Sequence, residues 1–147
     1  MGEVADATIA AGGRVVGVIP ESLQQREVGH VGLHELHVVP TMHLRKQMMA
    51  ERADAFIALP GGIGTLEELY EVWTWRQLGY HDQPIALLNT EGYYDDLLRF
   101  MRTSVSEGFL SQSQHDALMI GTDPQALLLQ LADAAHRADQ PDDFSKV

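Results

Sequence analysis

Apolar residues in this chain fall either into short, nearly unbroken runs or into longer stretches where they recur every three or four positions. The short runs cover residues 14–19, 35–39, 54–59, 84–89 and 117–120. They read as strands, and the more continuous of them as strands buried on both faces of a parallel sheet. Between them the longer period predicts helices over residues 4–11, 41–52, 65–80, 93–107 and 124–137. Gly12-Gly13 closes the first helix, Thr41 caps the second and Thr65 the third, and Asp123 followed by Pro124 starts the last. Residues 21–32 form a polar connection, and a loop containing Gly108 precedes the fifth strand. Strands alternating with helices of this length imply an α/β fold with a parallel sheet and right-handed crossovers. The expected organisation is a single nucleotide-binding domain over residues 1–138, followed by an acidic, disordered tail over 139–147.

Composition narrows the function classes. A chain of 147 residues is long enough for one domain with a sizeable core. Its formal net charge of −11 argues against nucleic acid as a partner, because phosphate backbones are held by basic faces. The absence of cysteine excludes disulfides, thiolate catalysis and cysteine-based zinc sites. No apolar stretch approaches the ~20 residues of a membrane span, and no signal peptide is read at the start, so the cytoplasm is the expected compartment.

The most informative segment is Pro60-Gly61-Gly62-Ile63-Gly64-Thr65-Leu66-Glu67-Glu68, which joins a predicted strand to a predicted helix. Glycines let a ligand approach the backbone, and the unpaired N–H groups of a first helical turn attract anions, phosphate above all. Glu68 stands one turn into that helix, where a carboxylate would repel the phosphate unless it faced another part of the ligand. That placement suggests chemistry rather than simple holding. The plainer alternative is a strand-to-helix turn in which Glu67 and Glu68 only complement the helix dipole. A second signal, Met42-His43-Leu44-Arg45-Lys46, weighs against it. Arg45 offers a planar bidentate donor and Lys46 a point charge, and the chain has only 10 Lys and Arg in all.

These two segments resemble the Pro-Gly-Gly-x-Gly-Thr-x-x-Glu and Met-His-x-Arg-Lys motifs of the LOG family, the cytokinin riboside 5′-monophosphate phosphoribohydrolases. The similarity extends through Ala5-Asp6-Ala7, Gly17-Val18-Ile19-Pro20, Glu27 and the stretch from Trp73 to His81, covering most of the chain up to about Asp123. The resemblance implies a Rossmann-like, doubly wound parallel sheet flanked by helices. It also implies hydrolysis of the N-glycosidic bond of an adenosine 5′-monophosphate, preferably N6-modified, to a free base and ribose 5-phosphate. Carried over position by position, Arg45 and Glu68 are the catalytic residues. Glu27, Met42, Lys46, Gly61, Gly62, Ile63, Gly64, Thr65, Leu66, Glu67 and Thr74 hold the substrate. Glycoside cleavage passes through an oxocarbenium-like transition state, so a carboxylate near C1′ can stabilise positive charge or activate water, with Arg45 as the group that orients it. No cofactor and no metal are implied. The expected partners are a small nucleotide monophosphate and a second copy of the chain in a homodimer, with neither nucleic acid nor membrane.

Family members begin with a strand, a helix, a second strand and a loop ending Gly-Leu-Met-Gly. Met1-Gly2 resembles the last two residues of that loop, so roughly 40 residues, about a βα unit plus a strand, are expected to be missing. This N-terminal portion carries a central strand and one wall of the crevice, which keeps a second reading open: a non-catalytic nucleotide-binding or sensing domain on the same scaffold. The name "lysine decarboxylase-like", often attached to the family, finds no support in a pyridoxal-phosphate lysine here. His30, His34 and His37 do not have metal-ligand spacing, and His43, His81 and His115 read as structural or loop residues. Trp73 is read as core, base-stacking wall or oligomer contact, with the resemblance favouring a dimer interface.

Overall fold

The computed structural model describes residues 2–24, 32–138 and 142–144, and divides into two compact units, residues 1–52 and 53–147. Glu27 and His30 lie outside the described residues.

In the first unit, α1 (Gly2–Ala10) leads to β1 (Val16–Pro20), the short α2 (Glu21–Gln24), β2 (Glu35–Val39) and α3 (Met42–Glu51). The two strands pair in parallel, from Val16 opposite Glu35 to Pro20 opposite Val39. Glu35 gathers charge on β2. Its carboxylate bonds the Arg14 guanidinium, the His37 Nε2 at 3.0 Å and, more loosely, Arg52 at 3.8 Å. His34 is occupied as well, its Nδ1 accepting the Val15 N–H at 3.1 Å. Thr41 caps α3 as its sequence position requires, its hydroxyl accepting the Leu44 N–H at 3.1 Å.

The second unit runs β3 (Phe56–Ala58), α4 (Ile63–Gln77), β4 (Ile85–Leu88), a 3-10 turn at Thr90–Gly92, α5 (Asp95–Ser106), α6 (Gln112–Asp116), β5 (Leu118–Gly121) and α7 (Pro124–Ala135). Its sheet has the order β3-β4-β5, all parallel. Every residue of the central β4 is buried, as a parallel strand covered by helices on both faces must be. Side chains alternate along it. Ile85 and Leu87 enter a cluster with Leu69 and Trp73 of α4, Leu98 and Met101 of α5, Tyr94 and Leu118. Ala86 and Leu88 face Leu127 and Leu131 of α7. Helices on both faces of parallel strands make this the α/β class that the alternating pattern predicts.

Two local expectations are corrected, and a third meets packing at three of its residues. Helix α4 begins at Ile63, with Gly62 in the N-cap position and no side-chain cap. Thr65 therefore sits inside the first turn instead of capping it, because the helical bonding already starts at the Gly62 carbonyl, which accepts the Leu66 N–H. Residues 112–116, read as loop, form α6, fixed by a capping box between Ser111 and Gln114. The residues expected in a disordered tail include 142–144, and these pack: Phe144 is 5% exposed, and the Asp143 N–H donates to the Tyr80 carbonyl at 2.8 Å. Composition marks these residues as polar, but the Phe144 ring takes a buried seat all the same.

Candidate functional site

The glycine turn follows the carboxyl end of β3, the position where open α/β sheets bind ligands. Gly62 holds φ −95° and ψ −154°, and Ile63, the first helical residue, is 89% exposed. The first helical bond closes from the Leu66 N–H to the Gly62 carbonyl at 3.1 Å. The N–H groups ahead of it lack carbonyls of their own helix to pair with. The three glycines play different parts. A Cβ at Gly61 would overlap the Thr65 hydroxyl and lie 2.8 Å from the Thr65 Cβ, so this glycine permits the turn to close. A Cβ at Gly62 or Gly64 would meet nothing within 4 Å. Packing does not require glycine at those two positions, and what their missing side chains leave bare is backbone facing outward.

Glu68 is half-buried, three residues after Thr65 and four after Gly64, so the three share one face of α4. Cα–Cβ bonds on a helix tilt toward its N-terminus, so the Glu68 Cα–Cβ bond leans toward the glycine turn. Glu67 is exposed, and Leu66 is half-buried against the core. Thr74 does not join this group. It lies eleven residues beyond Ile63, about 16 Å along the helix at 1.5 Å per residue, and its hydroxyl donates to the Tyr70 carbonyl at 2.7 Å. Trp73, a residue with three open readings, is core: it is buried, and its indole N–H donates to the Gln114 carbonyl at 3.1 Å.

The second motif belongs to the first unit. Met42 opens α3 just past the carboxyl end of β2 and is exposed. The half-buried Arg45 donates its Nε–H to the Val18 carbonyl of β1 at 3.1 Å, while its Nη1 lies 3.8 Å from the Met42 sulfur. The guanidinium is thus anchored by one edge on the neighbouring strand. Lys46 is half-buried beside it in sequence.

Two residues that the sequence did not single out stand over the glycine turn. After β4 the chain passes through Glu91 (φ 50°) and Gly92 (φ 73°), both left-handed. It then presents two tyrosines packed edge to face, 4.8 Å between ring centres. The Tyr94 hydroxyl donates to the Leu59 carbonyl at 2.7 Å, and the Tyr93 hydroxyl to the Gly61 carbonyl at 2.9 Å. Asn89 steadies the turn, its amide oxygen accepting the Tyr94 N–H at 2.7 Å and its amide nitrogen donating to Asp95 at 2.8 Å. Burial pushes the Tyr94 phenol up from its ordinary value, so it remains a proton donor at neutral pH.

Among the described residues, no three His, Asp or Glu side chains gather as a metal site would require, and no helix is long and apolar enough to cross a membrane. Comparison with known proteins places these features in context. A family model described as "possible lysine decarboxylase" matches residues 1–131. A cytokinin riboside 5′-monophosphate phosphoribohydrolase of Arabidopsis thaliana is 46% identical over 140 residues, covering 95% of this chain and 66% of the relative. A protein of the same name from Rhodococcoides fascians is 50% identical over 124 residues, covering 84% of this chain and 63% of the relative. A probable enzyme of this name from Oryza sativa subsp. japonica is 46% identical over 140 residues, 95% of this chain and 56% of the relative. The chain therefore spans less than two thirds of the length of these relatives.

Proposed function

We propose, because this chain belongs to the LOG family, that it takes part in hydrolysing the N-glycosidic bond of an adenosine 5′-monophosphate, N6-modified or plain, releasing the base and ribose 5-phosphate. The observation that carries this reading is the glycine turn. Two of its glycines have open space where a side chain would stand, at a helix N-terminus with Glu68 on the same face. The relatives of this chain are named for a phosphoribohydrolase reaction, not for a decarboxylation, although the family model carries the decarboxylase description.

In this reading the backbone N–H groups of Gly62, Ile63 and Gly64 bind the 5′-phosphate, with Thr65, Leu66 and Glu67 completing the cradle. The Glu68 carboxylate stabilises the cationic sugar as the C1′–N bond breaks, or draws a proton from the attacking water. Arg45 and Lys46 supply positive charge for the anionic substrate, against a strongly negative chain. Glu27, Met42 and Thr74 take the binding roles that their motif positions hold in the family.

We further propose a homodimer that works in the cytoplasm. One observation favours self-association. Phe100 and the 89% exposed Phe109 border a groove of about 280 Å³ between α4 and α5, floored by Tyr70 and Trp73, an apolar surface of the kind that subunit contacts cover.

The deciding experiment incubates the protein with AMP and with isopentenyl-AMP, follows the free base by chromatography, and assays ribose 5-phosphate. Release of base and sugar phosphate in equal amounts is expected. Failure to release base from either nucleotide would sink the hydrolase reading.

A further inference from the structure

The two tyrosines after β4 grip backbone carbonyls, and the peptide units they grip are those of the turn. A trans peptide points its C=O and its N–H in opposite directions. Holding the Gly61 carbonyl toward Tyr93 therefore aims the N–H of the same peptide unit, that of Gly62, away from Tyr93. That N–H belongs to the N-cap of α4, where the phosphate donors begin. Glycine gives this peptide the freedom to rotate, so a turn that must present its donors in one orientation needs an outside constraint. The Tyr93 hydroxyl supplies one.

Core packing does not account for Tyr93. It is 57% exposed, while its neighbour Tyr94 is buried in the hydrophobic cluster. The backbone leading to the pair is costly: Glu91 holds a positive φ that L-residues seldom adopt, and Gly92 is packed so that a Cβ would come within 2.6 Å of Asp95 Oδ2. Strain of this kind persists where the surroundings fix it, and here it delivers two hydroxyls to the turn.

We propose that Tyr93 is a positioning residue, whose hydroxyl holds the Gly61 carbonyl and so pre-orients the Gly62 N–H for a ligand carrying a 5′-phosphate. This rests on the reading of the glycine turn as the phosphate site. Tyr93→Phe removes only the hydroxyl and leaves the ring pair with Tyr94 intact. In calorimetric titrations of the full chain, wild type should bind AMP more tightly than adenosine. The variant should lose about fivefold in AMP affinity, the worth of one typical hydrogen bond, with adenosine affinity unchanged and a melting temperature within about 2 °C of wild type. Equal AMP affinity in the two proteins would overturn the assignment. So would a parallel loss for AMP and adenosine, which a merely structural role would give, or a wild type indifferent to the phosphate. Turnover is measured separately. If no base is released while the AMP-specific loss persists, the hydrolase reading fails and the Tyr93 assignment stands.

Discussion

The ring of Phe144 meets the indole of Trp75 edge to face, with 6.0 Å between ring centres. The contact ties α4, which holds Trp75, to a residue far later in the sequence. The neighbouring Asp142 carboxylate accepts a hydrogen bond from the Gln83 amide at 2.7 Å, and His81 lies 5.7 Å from the Phe144 ring. Phe144→Ala should cost about 3 kcal/mol, the lower end for removing a buried aromatic. Urea unfolding of the two proteins measures it. A difference below ~0.5 kcal/mol would mean that the segment contributes nothing to stability in solution.

His81 beneath this segment gives a pH dependence with a definite sign. Its Nε2 must donate to the Val72 carbonyl, 2.9 Å away, because a carbonyl can only accept. The buried Nδ1 has no partner among the described residues. Burial holds the imidazole below its ordinary value of 6.5, outweighing the Val72 carbonyl and the Asp142 and Asp82 charges that favour the cation, with Arg76 adding to the depression. A depressed folded-state pKa means that the unfolded chain binds the proton more readily. Stability is then fully present above pH ~6.5 and declines as pH falls through the lower, folded-state pKa. His81→Gln should flatten the melting temperature between pH 7 and 5. An unchanged slope would show that another group titrates.

Gly64→Ala separates the needs of the fold from those of the ligand. The added methyl meets no atom within 4 Å, and alanine in place of a helical glycine stabilises by up to about 1 kcal/mol. The variant should melt at or above the wild-type temperature yet bind AMP at least tenfold more weakly, because the Cβ stands where the phosphate approaches. Unimpaired AMP binding would remove Gly64 from the ligand site.

Glu68→Gln keeps the side chain's shape and removes its charge. AMP binding should stay within a few-fold of wild type while turnover falls by at least ~10², the lower end for losing a general acid–base group. A variant that retains most of its turnover would place the chemistry elsewhere.

Arg45→Ala removes a planar donor held by the Val18 carbonyl, and both turnover and AMP binding should suffer. Wild type should also cleave adenosine far more slowly than AMP. Equal rates on the two substrates would mean that the phosphate plays no part.

Much of this protein follows from the sequence alone, because the relevant signals are local. Unbroken apolar runs produced β3, β4 and β5, and the Thr41 and Asp123 caps bond backbone N–H groups three residues away, well within a sequence window. The glycine turn was legible for the same reason: strand, glycines and helix are contiguous. Where the hydroxyls of Tyr93 and Tyr94 point was not, since their acceptors lie 32 and 35 residues earlier, and only the pairing of β3 with β4 brings the two loops together. The same holds for Phe144, whose polar neighbours suggest a free tail until Trp75 and His81 are folded into place to receive it. It holds too for Trp73, left open between core, base-stacking wall and oligomer contact until α6 offered the Gln114 carbonyl. Local patterns select secondary structure because backbone hydrogen bonds and caps are short-range. Which side chain meets which carbonyl is settled only when distant segments share the same space.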